Sequence, residues 1–180
     1  TITGNIDVTA TAGSINAVSG KNDGSFFKFG HYTGDKTTGF TTAASGDPST
    51  MSGNITVSGA TGVLIKTGEA SNSSTGINAS IGHGMVKIHS AGLAIGAREV
   101  DAQGNIIVSS SGGNVSMLSN DNGNTCSGGA RTGHCLDGMS LVGHAVAADG
   151  TMSNSNILIK GQNIIVGDTE VATSNNPFYC

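Results

Sequence analysis

The sequence predicts an all-β protein in which short parallel strands pile up in successive coils. Three observations lead there. The 180 residues include 29 Gly and 57 Ser, Thr and Asn, while charged residues make up 11% and aromatic residues 4%. Long amphipathic helices draw on Leu, Glu, Lys and Arg, so this composition excludes a helical bundle. Next, a motif Gly-Asn-Ile-x-Val recurs at Gly4-Asn5-Ile6-Asp7-Val8, Gly53-Asn54-Ile55-Thr56-Val57 and Gly104-Asn105-Ile106-Ile107-Val108, with Ser155-Asn156-Ile157-Leu158-Ile159 as a fourth copy. Its Asn residues lie 49, 51 and 51 positions apart, and a constant long period marks a repeat architecture. Finally, most copies alternate Ile or Val with small or polar residues, which places the branched side chains on one face of a strand.

The elements follow in order. Gly4 opens a strand with Ile6 and Val8 inward, and Gly13 opens a second alternation at Ile15 and Ala17. Gly24-Ser25-Phe26-Phe27-Lys28-Phe29 reads as a further rung. Gly53 repeats the first element through Ile55 and Val57, and Gly62 the second through Leu64 and its neighbours. Gly84-Met85-Val86-Lys87-Ile88 with Gly92-Leu93-Ala94-Ile95 echoes that pair. Gly104 and Gly113 restart it through Ile106, Val108, Val115 and Met117. Gly138-Met139-Ser140-Leu141-Val142 precedes Gly143-His144-Ala145-Val146 in the same manner. The last copy brings Ile157 and Ile159 inward, followed by the apolar run from Gly161 to Val166. Rungs starting at 4, 24, 53, 84, 104, 138 and 155 give about seven coils on a basic length near 20 residues, with polar loops inserted at some corners.

Strands of three to five residues are not stable as isolated hairpins, but they are stable when coils stack about 4.8 Å apart around a shared apolar column. That arrangement is a parallel β-helix, one solenoid domain over residues 1–180. Equivalent Asn5, Asn54, Asn105 and Asn156 can form an amide ladder along one corner. The alternative is an antiparallel β-sandwich, whose hairpin turns would not require the long echo.

The segments Gly53-Asn54-Ile55-Thr56-Val57 with Gly62-Val63-Leu64-Ile65, and Gly104-Asn105-Ile106-Ile107-Val108 with Gly113-Asn114-Val115-Ser116-Met117-Leu118, resemble the degenerate repeats of filamentous-haemagglutinin-like exoproteins. Those are bacterial surface β-helices exported by two-partner secretion or as autotransporter passengers. The resemblance implies a right-handed winding, an extracellular or cell-surface location, and a role in adhesion.

Net charge is −4 with only eight Lys and Arg, which are scattered, so no nucleic-acid partner is expected. No apolar run is long enough for a membrane helix, and no membrane insertion is expected. The chain opens on Thr1 without a basic segment followed by an apolar one, which reads as a mature, exported segment. Cys126 and Cys135 bracket a Gly-rich loop and are read as a disulfide, with a thiolate site beside His134 as the alternative. Cys180 is the odd thiol: free, paired with either loop Cys, or bridging subunits. His31, His83, His89, His134 and His144 lack compact ligand spacing. They read as turn residues, with stacking on successive coils as the other option. Acidic residues sit in turns without a calcium-loop pattern, and the pair Glu99 and Asp101 has no companion cluster. No cofactor, metal site or catalytic group is therefore expected.

Two functions remain. One is a secreted structural β-helix that builds a fibre, matrix or adhesin stalk by end-to-end coil stacking, on copies of itself or within a longer parent chain. The other is a fibre module that binds carbohydrate or a host receptor through inserted loops, with Phe26, Phe27, Phe29, Tyr32 and Phe40 as the candidate cluster.

Overall fold

Pairing between residues some fifty positions apart organises the described strands. The structure is a computed structural model that describes residues 1–20, 26–31, 50–67, 78–84, 101–119, 139–144 and 152–168. Among these there is no helix, and every strand pairing is parallel. The antiparallel sandwich alternative is thereby set aside for the described strands.

The chain visits four sheets in turn and then returns to the first. One circuit comprises β1 (Ile2–Thr3), β2 (Ile6–Ala10), β3 (Ser14–Val18) and β4 (Phe26–Phe29). The second comprises β5 (Thr50–Ser52), β6 (Ile55–Gly59), β7 (Gly62–Lys66) and β8 (Asn78–Ile81). The third runs through β9 (Asp101–Gln103), β10 (Ile106–Ser110), β11 (Val115–Ser119) and β12 (Met139–Val142). Last come β13 (Met152–Ser153), β14 (Ile157–Lys160) and β15 (Ile164–Asp168). The sheets are β1-β5-β9-β13, β2-β6-β10-β14, β3-β7-β11-β15 and β4-β8-β12.

This topology corrects the count of seven coils. The starts at 4, 53, 104 and 155 all precede one sheet, in which Ile6, Ile55, Ile106 and Ile157 are directly paired. The segments after Gly24 and Gly138 are β4 and β12, both paired to β8, and so form a fourth side of circuits already begun. The repeat is therefore one circuit per 49 to 51 residues. Alternation reports a strand with one buried face, and every side of a circuit has one. A pattern repeated from side to side thus mimics a shorter coil. Residues 85–95, the body of the expected rung at Gly84, lie outside the described residues.

The alternation buries what it should. Ile55, Val57, Ile106 and Val108 are fully buried, whereas Thr56 and Ile107 between them are only half-buried. Val63, Ile65, Val115, Ala79 and Ile81 close the same apolar column from the other sides. Met51 and Ala102 are buried where their strands pair. Each such Ile, Val or Met burial contributes about 1.5–3 kcal/mol, which lets strands this short hold together.

The corner before β6 and β10 admits only glycine. Gly53 (φ +137°) and Gly104 (φ +120°) occupy the left-handed half of conformational space, and a Cβ on either would run into the glycine carbonyl of the preceding circuit. The fourth circuit has Ser155 at this place, and there the positive φ shifts one residue back to Asn154 (φ 51°). Asn is among the few residues that tolerate that region.

Candidate functional site: two ladders and an open end

Each of the described strands β4, β8 and β12 ends in an apolar residue followed by Gly-His: Phe29-Gly30-His31, Ile81-Gly82-His83 and Val142-Gly143-His144. The shared register of these strands superposes the three imidazoles. Ring centroids of His31 and His83 are 4.9 Å apart with planes inclined by 5°, and those of His83 and His144 are 5.1 Å apart at 4°. That separation is close to the strand-to-strand spacing of a sheet, so the backbone sets it.

Every ring nitrogen of the middle and upper imidazoles has a partner. The His31 backbone N–H donates to His83 Nδ1 at 3.1 Å, and the His83 N–H donates to His144 Nδ1 at 3.0 Å. On the far side, Nε2 meets the carbonyl of Gly4 (His31, 3.0 Å), Gly53 (His83, 2.8 Å) and Gly104 (His144, 2.9 Å). For His83 and His144 a nitrogen that accepts and a nitrogen that faces a carbonyl define the neutral Nε2–H tautomer. The rings therefore act as clasps. Each ties its strand end to the Gly-Asn corner of its own circuit, and His83 and His144 also tie it to the circuit before.

The neutral form is enforced by surroundings as well as geometry. His83 is fully buried, and its pKa is lowered to about 4, first by burial and further by the neighbouring His144, His31 and Lys28, against the Gly53 hydrogen bond. Burial also lowers the pKa of His144, with Lys28 adding to it and the Gly104 bond opposing it. Lys28, one residue before Phe29, is itself pushed down to about 8 by burial. A metal would need the lone pair that already accepts a backbone N–H, so His83 and His144 are committed to structure. Among the described residues no group of three His, Cys, Asp or Glu is arranged to hold a metal ion.

The second ladder is of asparagines. Asn5 Oδ1 accepts the Asn54 N–H at 2.9 Å, Asn54 Oδ1 the Asn105 N–H at 3.0 Å, and Asn105 Oδ1 both the N–H and the Nδ2 of Asn156 at 3.1 Å. A shorter amide pair, Asn163 Nδ2 to Asn114 Oδ1 at 3.0 Å, joins the upper two circuits at another corner. The two ladders run in opposite senses. Backbone donors point down the stack to Asn side chains and up the stack to His side chains.

The rung residues chosen from sequence are brought together: Ile6, Ile55, Ile106 and Ile157 form one row, and Val8, Val57, Val108 and Ile159 the next. The aromatic cluster is placed differently. Phe29 packs against the core, and Phe27 lies two positions earlier on the same strand face, with the ring centroids 4.6 Å apart in edge-to-face contact. Phe29 is thus a column residue, not part of an exposed platform. Phe26 is described in its backbone alone, and Tyr32 and Phe40 lie outside the described residues, as do Cys126, Cys135, Cys180, His89, His134 and Glu99.

The ends of the column differ from its middle. Ile157, Ile164 and Val166 take the register of Ile106, Val115 and Met117, yet they are 51%, 52% and 71% exposed. At the other end Ile6, Val8 and Ile15 are half-buried. A shallow groove on the outer face of the β3-β7-β11-β15 sheet is lined by Ser14, Asn16, Leu64, Asn114 and Ser116 and carries no charged group.

Fold and ladders together define an all-β protein of stacked parallel sheets with interior apolar rows and polar corner ladders. No family model matches the sequence, and comparison with curated proteins and with solved structures finds no match.

Proposed function

We propose that this chain is a parallel β-helix that serves as a non-catalytic structural element, extending a fibre or adhesin stalk by stacking circuit upon circuit. In this reading four circuits of one solenoid wind in the right-handed sense that crossovers between parallel strands take. The observation that carries it is the exposed end row of Ile157, Ile164 and Val166. These side chains occupy core positions in register, but no further circuit covers them among the described residues. An end strand also offers unpaired backbone groups, and such an edge recruits another strand unless it is blocked. Where successive additions do not close into a ring, the product is an open filament.

An exported protein at a bacterial surface suits this reading. The scarcity of Lys and Arg, the richness in Gly, Ser, Thr and Asn, and the likeness of the repeats to filamentous-haemagglutinin-type exoproteins support it. Sedimentation velocity over a range of concentrations, with negative-stain microscopy, tests it. Rods that lengthen with concentration are expected; particles that stay monomeric and compact at every concentration would refute the stacking role.

A further inference from the structure

We infer that the occupant of the open end is a second copy of this chain, seated head to tail in the register of the internal circuits. This rests on the stacking role proposed above and specifies its joint. The face that β14 offers is chemically the face that β10 offers to β14 within the chain, so the internal junctions are a template for the external one. Carrying that register one step further places Ile6, Val8, Ile15 and Ala17 of the second copy on Ile157, Ile159, Ile164 and Val166. Strand lengths match as well. β13, β14 and β15 span two, four and five residues, and β1, β2 and β3 span two, five and five.

Polar groups at the two ends are complementary in the same register. Within the chain, each Asn N–H donates to the Asn side chain of the circuit before it, and Ile106 N–H donates to Asn156 O. At the joint, Asn5 N–H of the second copy therefore donates to Asn156 Oδ1, and Ile157 N–H donates to the Asn5 carbonyl. Charge agrees. Lys160 is exposed on the outer face of β14, and the register places it opposite Thr9, one outward position from the exposed Asp7. Such a diagonal neighbour on a sheet face lies about 7–8 Å away, within reach of a lysine side chain. A joint of two like ends would bring together only Lys160 from both copies, or only Asp7 from both, with no opposite pair of these two. Head-to-tail assembly is the arrangement in which these charges attract.

A charge-exchange series tests the joint. Wild type, Lys160→Glu, Asp7→Lys and the double variant are compared by sedimentation velocity at low and at high salt, with circular dichroism confirming that each is folded. Both positions are exposed, so folding is expected to persist. Each single variant should weaken self-association about tenfold at low salt, and the double variant should restore it. High salt should narrow these differences. Self-association that ignores all three variants would overturn the joint while leaving the stacking role intact; a wild type that stays monomeric throughout would overturn both.

Discussion

At the scale of single residues, the histidine clasps give the molecule a defined response to acid. A protonated imidazole has no lone pair at Nδ1 to receive the backbone N–H, so charging His83 breaks a rung. Its pKa of about 4 in the folded chain lies below the ordinary value of 6.5. Between these pH values the unfolded chain binds more protons than the folded one, and stability therefore falls as pH drops through that window and rises as pH increases. The difference corresponds to about 3 kcal/mol for His83. Lys28 stays charged in both states there and contributes no slope of its own. Urea unfolding midpoints at pH 7.5, 6, 5 and 4 should fall in step for the wild type. His83→Gln has no titrating ring and should show a shallower decline. Glycines supply a second prediction at this scale. Gly53→Ala meets both a carbonyl and an unfavourable φ and should cost about 3 kcal/mol, while Gly13→Ala, with open space around its Cβ position, should change stability by less than about 1 kcal/mol. Denaturant titration of both variants checks the contrast.

At the scale of the strand, the inward and outward positions of one element should respond differently to truncation. Ile106 is fully buried between Ile55 and Ile157, whereas Ile107 beside it faces outward. Ile106→Ala is expected to destabilise by about 2–5 kcal/mol and Ile107→Ala by less than about 1 kcal/mol, measured by equilibrium unfolding. This inward row was legible in the sequence because it recurs with its Asn at a near-constant period, and identical neighbours at a constant period have few places to go except on top of one another. The histidine clasps were harder to see. His31, His83 and His144 are separated by 52 and then 61 residues, so no fixed period links them. Their signal lies in the apolar-Gly-His ending shared by three strands. The number of circuits misled for a related reason: a single side and a whole turn of the chain share one alternation, and only strand pairing tells them apart. Phe27 and Phe29 looked like a surface cluster because aromatic residues suit both sugar platforms and cores.

At the scale of the whole molecule, the strand pairings among the described residues join segments far apart in sequence, since each described sheet pairs strands of successive circuits. Closing such long segments costs entropy before any contact repays it, and folding is slow in consequence. Refolding followed by stopped-flow circular dichroism should take milliseconds to seconds rather than microseconds. The unequal histidine separations carry one more consequence. Although one separation is 61 residues and the other 52, the ring spacings are 5.1 and 4.9 Å. Surplus polypeptide between two corners is thus accommodated without disturbing the vertical alignment. The ring spacing does not follow the length of chain between the rings, so a peptide spliced between β11 and β12 is expected to leave the His83–His144 separation near 5.1 Å.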